Sequence, residues 1–200
     1  MRFAICDLKF GIWDFDLGGL MGKVMEEISG EIADFIRGQR VFFVGSAPLG
    51  GGGHVNVSPK GLDCLRVLGA KRVAYADLTG SGNETSAHVS ENGRITLMFC
   101  GFEERAVIVR VYGRGRVVLR GEGEWGEMEG LFPKHLGLRQ IIVVEVSRVA
   151  TSCGFGVPVM KFVGERGLME EWARKKGEEG LEAYRREKNV RSIDGLEARI

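Results

Sequence analysis

Cysteine and proline are both scarce in this chain, with 4 of each among 200 residues. The cysteines, Cys6, Cys64, Cys100 and Cys153, show no CxxC spacing, and only 3 histidines accompany them. A structural zinc site needs clustered Cys and His ligands, and a disulfide framework needs regularly spaced cysteines in a small secreted chain. The sequence therefore predicts neither a metal site nor disulfides, and we expect the reduced thiols of an intracellular protein.

Long apolar runs and an excess of one charge are missing as well, and aromatic residues are few. The longest apolar runs, such as IIVV at 141–144, fall far short of the roughly 20 residues that a membrane-spanning helix needs. A formal net charge of +1 and an aromatic content of 8% make the chain a poor match to small barrels that bind nucleic acid. Asp7, Asp14 and Asp16 stand where a signal peptide would have its apolar core. We therefore expect a cytoplasmic protein without nucleic-acid or membrane partners.

Glycine is the residue in excess, with 31 copies, which suits many tight turns and close backbone approaches. Between the glycines lie six segments rich in β-branched and aromatic residues, which predict strands. They cover residues 41–47, 54–58, 71–78, 94–102, 106–119 and 139–151. Short turns separate most of them, and several alternate polar and apolar residues. This pattern favours an antiparallel barrel, closed so that its edges are buried, over a parallel α/β sheet.

Helical patterns flank and interrupt these strands. Apolar residues at steps of three and four predict an amphipathic helix over 22–40, and shorter helices are predicted at 83–92 and 127–137. Ser81 and Glu84 have the spacing of a capping box for the first of these short helices. A charged segment after Gly167 predicts a helical pair, broken at Gly177 and Gly180. We expect residues 1–20 to be a disordered extension, 21–165 the barrel and 166–200 a C-terminal helical extension packed on it.

The stretch GGGGHVNVSPKG at 50–61 raises the question of a phosphate-binding loop. A nucleotide-triphosphate loop needs GxxxxGK, then Ser or Thr, then a helix, whereas here Lys60 precedes Gly61 and another strand follows. GEGEWG at 121–126 matches GxGxxG, but Glu122 and Glu124 would repel a pyrophosphate, and such matches arise by chance in a glycine-rich chain. Neither motif predicts a nucleotide site, and the four glycines are interpreted as a flexible hairpin connection.

Two other features predict anion binding, although ordinary turn and capping chemistry remains the alternative for each. In HVNVSPKG, Asn56, Ser58 and Lys60 occupy alternate positions, so on a strand they project from one face. In DLTGSGNETSAH, a strand end leads through a glycine turn to a helix start that carries Thr85 and Ser86. Free amides and the helix dipole favour a phosphate at such a place.

Four segments together resemble a known family: HVNVSPKG, YADLTGSGNETSAH, ENGRITLMF and VRVYGRGRVV, in this order and at these separations. They resemble the pyridoxamine 5'-phosphate oxidase-like family of FMN-binding split barrels, and its uncharacterised branch in particular. The resemblance runs from about residue 21 to the C-terminus and includes VEVSRVATSCGFGVP and KNVRSIDGL. It implies a mainly β, antiparallel split barrel with peripheral helices. It also implies a homodimer that holds FMN noncovalently at its interface.

The resemblance further implies which residues contact the flavin. By position, SPKG would contact the ring and phosphate, and residues 77–86 would enclose the ribityl chain and phosphate. The cofactor-binding residues predicted on this basis are Asn56, Ser58, Lys60, Gly61, Asp77, Leu78, Thr79, Asn83, Thr85 and Ser86. Family members that oxidise vitamin B6 have an Arg-Lys pair where this chain has Thr85 and Ser86. Their C-terminal segment also supplies arginine and histidine to the substrate. Because the chain departs at both places, vitamin B6 oxidation is not expected.

The leading functional hypothesis is an FMN-dependent oxidoreductase whose substrate the sequence does not identify. A flavin carries the hydride chemistry itself, so the lack of a recognisable triad or carboxylate pair does not argue against it. The alternative is a flavin- or haem-binding carrier or sensor without turnover, because the family's substrate-binding residues are missing. Cys153 is interpreted as a buried structural thiol, and His54, His88 and His135 as turn, helix and surface residues.

Overall fold

The computed structural model describes residues 22–103 and 105–200, so Cys6 and the extension predicted for 1–20 lie outside the described residues. The strands are β1 (Val24–Met25), β2 (Phe42–Ser46), β3 (Asn56–Lys60), β4 (Leu65–Gly69), β5 (Arg72–Leu78), β6 (Arg94–Cys100), β7 (Val107–Leu119) and β8 (Leu138–Cys153). The helices are α1 (Gly30–Gly38), α2 (Glu84–Asn92), α3 (Trp125–Glu129) and α4 (Leu168–Lys188). The six predicted strands are present, and β1 and β4 come in addition.

The strands form one antiparallel sheet in the order β3-β2-β6-β7-β8-β5-β4, with β1 paired to β8. The mainly β, antiparallel fold was therefore predicted correctly. The expected closure of the barrel was wrong, because β3 and β4 stand at the two ends of this order. Within the described part of the chain, β3 pairs only with β2. Strand β3 instead meets β5 through side chains, and a cavity lies between them.

Strand β8 joins the two halves of the sheet. It pairs with β7 along its length, with β5 through its first half and with β1 near its end. The β7–β8 register shifts between Tyr112 and Gly113. A Cβ atom on Gly113 would lie 2.2 Å from the carbonyl oxygen of Glu145, so glycine is what allows this close backbone approach. A bulge of this kind bends the strand, which lets β8 serve both halves.

Helix α1 is shorter than the predicted 22–40. It begins at Gly30, and the Ser29 hydroxyl caps it by accepting a hydrogen bond from the Ile32 amide at 3.3 Å. Val24 and Met25, which fitted the helical period, pair with β8 instead. The apolar face that remains, Ile32, Phe35 and Ile36, is buried in the core. The hydrophobic periodicity therefore predicted the helix correctly but placed its start too early in the chain.

The predicted capping box of α2 is not formed. The N-cap residue is Asn83, whose side chain makes no cap hydrogen bond. Glu84 accepts hydrogen bonds from the backbone amide of Ile193 at 3.1 and 3.2 Å. The Glu84 carboxylate, which the local sequence pattern predicted to cap α2, thus binds the backbone of a residue that is distant in sequence.

The later helices also differ from their predicted bounds. Helix α3 ends at Glu129 rather than continuing to 137, because glycine and proline follow it. The predicted helical pair is α4, which has a non-helical residue at Gly177 (φ 67°) but continues through Gly180. Arg185 donates from Nε to the Thr79 hydroxyl at 2.8 Å, which ties α4 to the end of β5.

An aromatic cluster occupies the core next to the cavity. The ring centroids of Phe42 and Tyr75 are 5.7 Å apart, as are those of Phe42 and Phe99. Tyr75 is fully buried and lies on the same face of β5 as Asp77, two residues away. Lys60 Nζ lies 5.9 Å from the Tyr75 ring centroid. Aromatic side chains of the core therefore lie beside the strands that carry the candidate site.

Candidate functional site

A cavity of about 600 Å³ opens between β3 and β5, and we call it the β3–β5 cavity. Asn56, Ser58 and Lys60 line it from β3, while the intervening Val57 is exposed on the opposite side. The alternation along β3 therefore holds as predicted. Seven of the ten predicted cofactor-binding residues line this cavity: Asn56, Ser58, Lys60, Gly61, Asp77, Leu78 and Thr85.

Asp77 is the charged centre of the cavity wall. Its carboxylate accepts hydrogen bonds from Lys60 Nζ at 2.6 Å, Arg139 Nε at 2.9 Å and Gln140 Nε2 at 2.7 Å. Burial alone would raise the pKa of Asp77. The charges of Lys60 and Arg139, with these hydrogen bonds, outweigh burial and hold its pKa well below the usual range. Asp77 is therefore an anion at neutral pH, matched by two cations of the same cavity.

The side-chain amide of Asn56 lies near three hydroxyl groups, of which those of Ser58 and Thr85 line the cavity while that of Ser46 is buried behind it. Its Nδ2 lies 3.3 Å from Ser46 Oγ, 3.2 Å from Ser58 Oγ and 3.1 Å from Thr85 Oγ1. An amide NH₂ has two hydrogens, so it cannot donate to all three hydroxyls at once. The cluster therefore keeps hydrogen-bonding capacity for a ligand.

The buried His88 extends this cluster away from the cavity. Its Nδ1 lies 3.0 Å from Ser46 Oγ, and burial lowers its pKa. His88 is therefore neutral at neutral pH, and it occupies a position inside the protein on α2. Its interpretation as a helix residue is confirmed.

Three further cations line the cavity: Arg139, Lys188 and Arg191. None of them was selected as a site residue from the sequence. Arg139 lies among the alternating residues of β8, and nothing in its pattern distinguished it from a surface residue. Lys188 lies in a run of charges at the end of α4, where a solvated helix face was the simpler interpretation. Arg191 lies in KNVRSIDGL, which contributed to the family resemblance without an assigned role. Their position beside β3 follows from the folding of the chain and is visible only in the structure.

Thr79, Asn83 and Ser86 were predicted to contact the flavin, and the structure places them outside the lining of the cavity. The Thr79 hydroxyl donates to the Gly137 carbonyl at 2.8 Å. Asn83 Nδ2 donates to the carbonyls of Asn189 and Arg199, each at 3.1 Å. Ser86 Oγ accepts from the Arg199 amide at 3.1 Å. The polar groups of these residues are thus bonded to other parts of the protein.

The last residues of the chain form one wall of the cavity. Residues 190–198 make a short hairpin, which we call the C-terminal hairpin. The Ala198 amide donates to the Val190 carbonyl at 3.0 Å, and the Ser192 amide donates to the Leu196 carbonyl at 2.8 Å. Arg191, Ser192 and Ile193 line the cavity from this hairpin. The site therefore combines β3 and β5 with a segment more than 100 residues later in the sequence.

The glycines at 50–53 connect β2 to β3, as expected for a hairpin connection, and only the last one is closely packed. A Cβ atom on Gly50, Gly51 or Gly52 would meet nothing within 4 Å. On Gly53 it would lie 2.3 Å from Pro48 Cγ and 3.0 Å from Asp194 Oδ2. Asp194 also accepts a hydrogen bond from the His54 amide at 2.7 Å. The loop therefore docks against the C-terminal hairpin.

We expect Gly53→Ala to destabilise the protein by about 1–3 kcal/mol, because the added methyl group must displace Pro48 and Asp194. Gly51→Ala is the matched control, and it should change the free energy of unfolding by less than about 0.5 kcal/mol. Urea denaturation of both variants measures the difference. Equal stabilities would contradict the proposed contact between the loop and the hairpin.

The remaining thiols and histidines lie in different environments. Cys64 lines the cavity, but burial raises its pKa to about 12, so it is a neutral thiol. Cys153 is exposed at the end of β8, so its interpretation as a buried residue was wrong. His54 lies in the loop before β3, and His135 is half-buried.

Among the described residues, no three His, Cys, Asp or Glu side chains are grouped to hold a metal. The part of the chain that the structure describes also has no helix suited to crossing a membrane.

Comparison with known proteins places this chain in a family. The family described as pyridoxamine 5'-phosphate oxidase matches residues 28–153. The chain belongs to the pyridoxamine 5'-phosphate oxidase family. The matched region includes all ten predicted cofactor-binding residues but ends before α4 and the C-terminal hairpin. Lys188 and Arg191 thus belong to a part of the cavity that this family match does not describe.

One sequence relative agrees with this assignment, and solved structures of similar fold are known. The pyridoxamine 5'-phosphate oxidase family protein ustO of Aspergillus flavus is 37% identical over 190 residues, covering 86% of this chain and 75% of that protein. Among solved structures, a Lactobacillus delbrueckii protein provisionally described as a pyridoxamine 5'-phosphate oxidase has a TM-score of 0.50. It is 14% identical, and the match covers 62% of this chain and 94% of that one. HupZ from Group A Streptococcus has a TM-score of 0.47 and 22% identity, covering 61% and 91%. The first of these structures shows that the chain has the fold of the family's split barrels.

Proposed function

We propose that this protein is an FMN-dependent oxidoreductase that binds the flavin in the β3–β5 cavity. The observation that carries the proposal is the composition of the cavity in a member of this family. Cations, a cluster of hydroxyl groups and apolar side chains line one space of about 600 Å³. FMN needs these three kinds of partner, for its phosphate, its ribityl hydroxyls and its ring respectively.

The residues present fit the cofactor group by group. Asn56, Ser58 and Thr85 offer an amide and two hydroxyls to the ribityl chain. Leu62, Leu78 and Ile193 supply apolar surface to a ring system. The cations outnumber the carboxylates in the lining, since Lys60, Arg139, Lys188 and Arg191 face only Asp77 and Glu84. An anionic group is therefore favoured in the cavity.

The flavin would supply the hydride or electron transfer, and the chain's own residues would position it and control its surroundings. Asp77 holds Lys60 and Arg139 in fixed places on the wall. Cys64 stays protonated at neutral pH because burial raises its pKa to about 12, so it does not act as a thiolate nucleophile.

A cavity-filling variant tests the location of the flavin. Ser58→Phe places a bulky ring in the β3–β5 cavity from an edge strand, so we expect FMN binding to weaken at least about tenfold while the fold persists. Titration of flavin-free protein with FMN, followed by flavin fluorescence, measures this. Val163→Phe is the control, because Val163 is 96% exposed and does not line this cavity. A folded Ser58→Phe protein that binds FMN as tightly as the parent would refute the location.

We also propose that the protein is a homodimer through the outward face of its sheet. One row of neighbouring residues crosses six strands on this face: Pro59, Phe43, Met98, Arg110, Ala150 and Val24. All but one are apolar. The apolar run at 141–144 is not available to a partner, because Ile141, Ile142, Val143 and Val144 are all fully buried within one chain. A second copy on the outward face would cover the remaining apolar row, and two-fold pairing is the commonest arrangement.

Light scattering should therefore report twice the chain mass of 22.0 kDa. Met98→Glu puts a charge at the middle of the proposed interface and should shift the mass to that of one chain. Val163→Glu, which changes an exposed residue outside that row, should leave the dimer intact. A parent protein that is monomeric at micromolar concentration would refute the dimer.

A further inference from the structure

The cations of the β3–β5 cavity differ in how far they are already paired. Lys60 and Arg139 both bind the carboxylate of Asp77, which is 1% exposed. Arg139 also donates from its Nη1 to Asn189 Oδ1 at 2.8 Å and to the Gly82 carbonyl at 2.9 Å. These two side chains are held in place, and the charge of Asp77 offsets much of theirs. They are poor first choices for binding a dianion.

The two cations from the end of the chain are less committed. Lys188 pairs with its sequence neighbour Glu187 at 2.8 Å, and both side chains are exposed. Such surface pairs contribute little, so Lys188 can exchange this partner. The Arg191 guanidinium makes no hydrogen bond or ion pair with any of the residues 22–103 and 105–200. Arg191 therefore lines the cavity with all its donors available.

The backbone that carries Arg191 is firmly anchored. Before it, Asn189 is fully buried, and its Nδ2 donates to the Gly80 carbonyl at 3.0 Å. After it, the Ile193 amide binds Glu84, and Asp194 accepts from the His54 amide at 2.7 Å. A cation on a fixed backbone loses less conformational entropy when it binds a ligand than one on a mobile segment.

The same hydrogen bonds join a carboxylate of the cavity wall to the hairpin. Glu84 lines the cavity, and its carboxylate is hydrogen-bonded to the hairpin because it accepts from the Ile193 amide. Thr85 and Ser86, which follow it on α2, carry no charge. The start of α2 therefore provides hydroxyl groups but no cation, and the C-terminal hairpin brings the missing positive charge to this side of the cavity.

We propose that Arg191, assisted by Lys188, binds the phosphate group of the flavin, so that the C-terminal hairpin selects FMN over unphosphorylated riboflavin. This inference rests on the proposed function. It assigns the phosphate to a segment outside the matched family region of residues 28–153. Guanidinium groups suit phosphate oxygens because they donate two parallel hydrogen bonds.

The comparison of FMN with riboflavin tests this assignment, because the two ligands differ only in the phosphate. We expect Arg191→Gln to weaken FMN binding roughly 10- to 100-fold, the range for losing a charged hydrogen-bonded pair. Its affinity for riboflavin should stay that of the parent. Lys188→Gln should reduce FMN affinity by a smaller factor. Arg186→Gln is the control, since Arg186 is exposed on α4, pairs with Glu182 and does not line the cavity.

Each other result has a distinct meaning. Unchanged FMN affinity in Arg191→Gln would overturn the phosphate assignment and leave the flavin site standing. Equal losses for FMN and riboflavin would also overturn it, because they would show a structural effect on the hairpin. A parent protein that binds neither flavin would refute the proposed function itself, and this inference with it.

Discussion

Asp77→Asn should lower the free energy of unfolding by about 3 kcal/mol, the lower part of the range for removing one partner of a buried ion pair. Asp77 is buried between Lys60 and Arg139, whose side chains are only 19% and 8% exposed. The amide keeps the shape of the carboxyl group but leaves both cations without a counter-charge. Chemical denaturation measures the loss, and Asp34→Asn is the control because it removes an exposed i,i+3 pair. That control should cost less than about 0.5 kcal/mol.

The stabilising effect of Asp77 should also depend on pH in one direction. Its pKa is lower in the folded protein than in the unfolded chain, where a carboxyl group of this type titrates near about 3.9. Its contribution is therefore fully present above about pH 4 and is lost as the pH falls toward the lowered folded value. The parent protein should lose this increment of stability between these values, and Asp77→Asn should not. Parallel stability curves for the two proteins in acid would contradict the ion-pair network.

Asn83→Ala should loosen the C-terminal hairpin and cost about 1–3 kcal/mol, because the buried Asn189 carbonyl loses its side-chain donor and the Arg199 carbonyl keeps only the Ser86 hydroxyl. Asn83 is 1% exposed, and its Nδ2 serves the carbonyls of Asn189 and Arg199 on either side of the hairpin. Amide hydrogen exchange without flavin should become faster across residues 189–199. FMN affinity should fall as a consequence, because this wall of the cavity would no longer be fixed.

Asn92→Ala is the matched control for Asn83, since it changes the same residue type at the other end of α2. Asn92 bonds the Ala47 carbonyl and not the C-terminal hairpin, so exchange at 189–199 should not change. If Asn83→Ala weakened FMN binding while leaving exchange in the flavin-free protein unaltered, Asn83 would be a flavin ligand, as the sequence predicted. The experiment thus separates an anchoring role from direct contact.

The strands and their direction could be predicted because strand formation follows a local pattern. Alternation on β3 places Asn56, Ser58 and Lys60 on one face, and the structure keeps them there. Glycine and asparagine at the turns marked most strand ends. The start of α1 was missed because Val24 and Met25 satisfy a helical period while their hydrogen bonds go to β8. The residues of β8 that pair with them are far away in the sequence, so a local pattern does not reveal this pairing.

The candidate site could be predicted only where one segment contributes several residues. Ser86 looked like a phosphate-binding residue at a helix start, but its hydroxyl binds the backbone of Arg199, 113 residues later. Arg191 had no distinguishing neighbour in the sequence, and its place in the cavity depends on the anchoring of the C-terminal hairpin. Contacts between such distant segments depend on tertiary packing, which spacing along the chain does not encode.

The central claim is that the β3–β5 cavity of this protein holds FMN. The visible absorption spectrum of the purified protein, with mass spectrometry of whatever denaturation releases, tests it most directly. We expect a yellow protein with the spectrum of an oxidised flavin, and one released FMN for each chain. A colourless protein that also fails to bind added FMN would contradict the claim, as would a released haem.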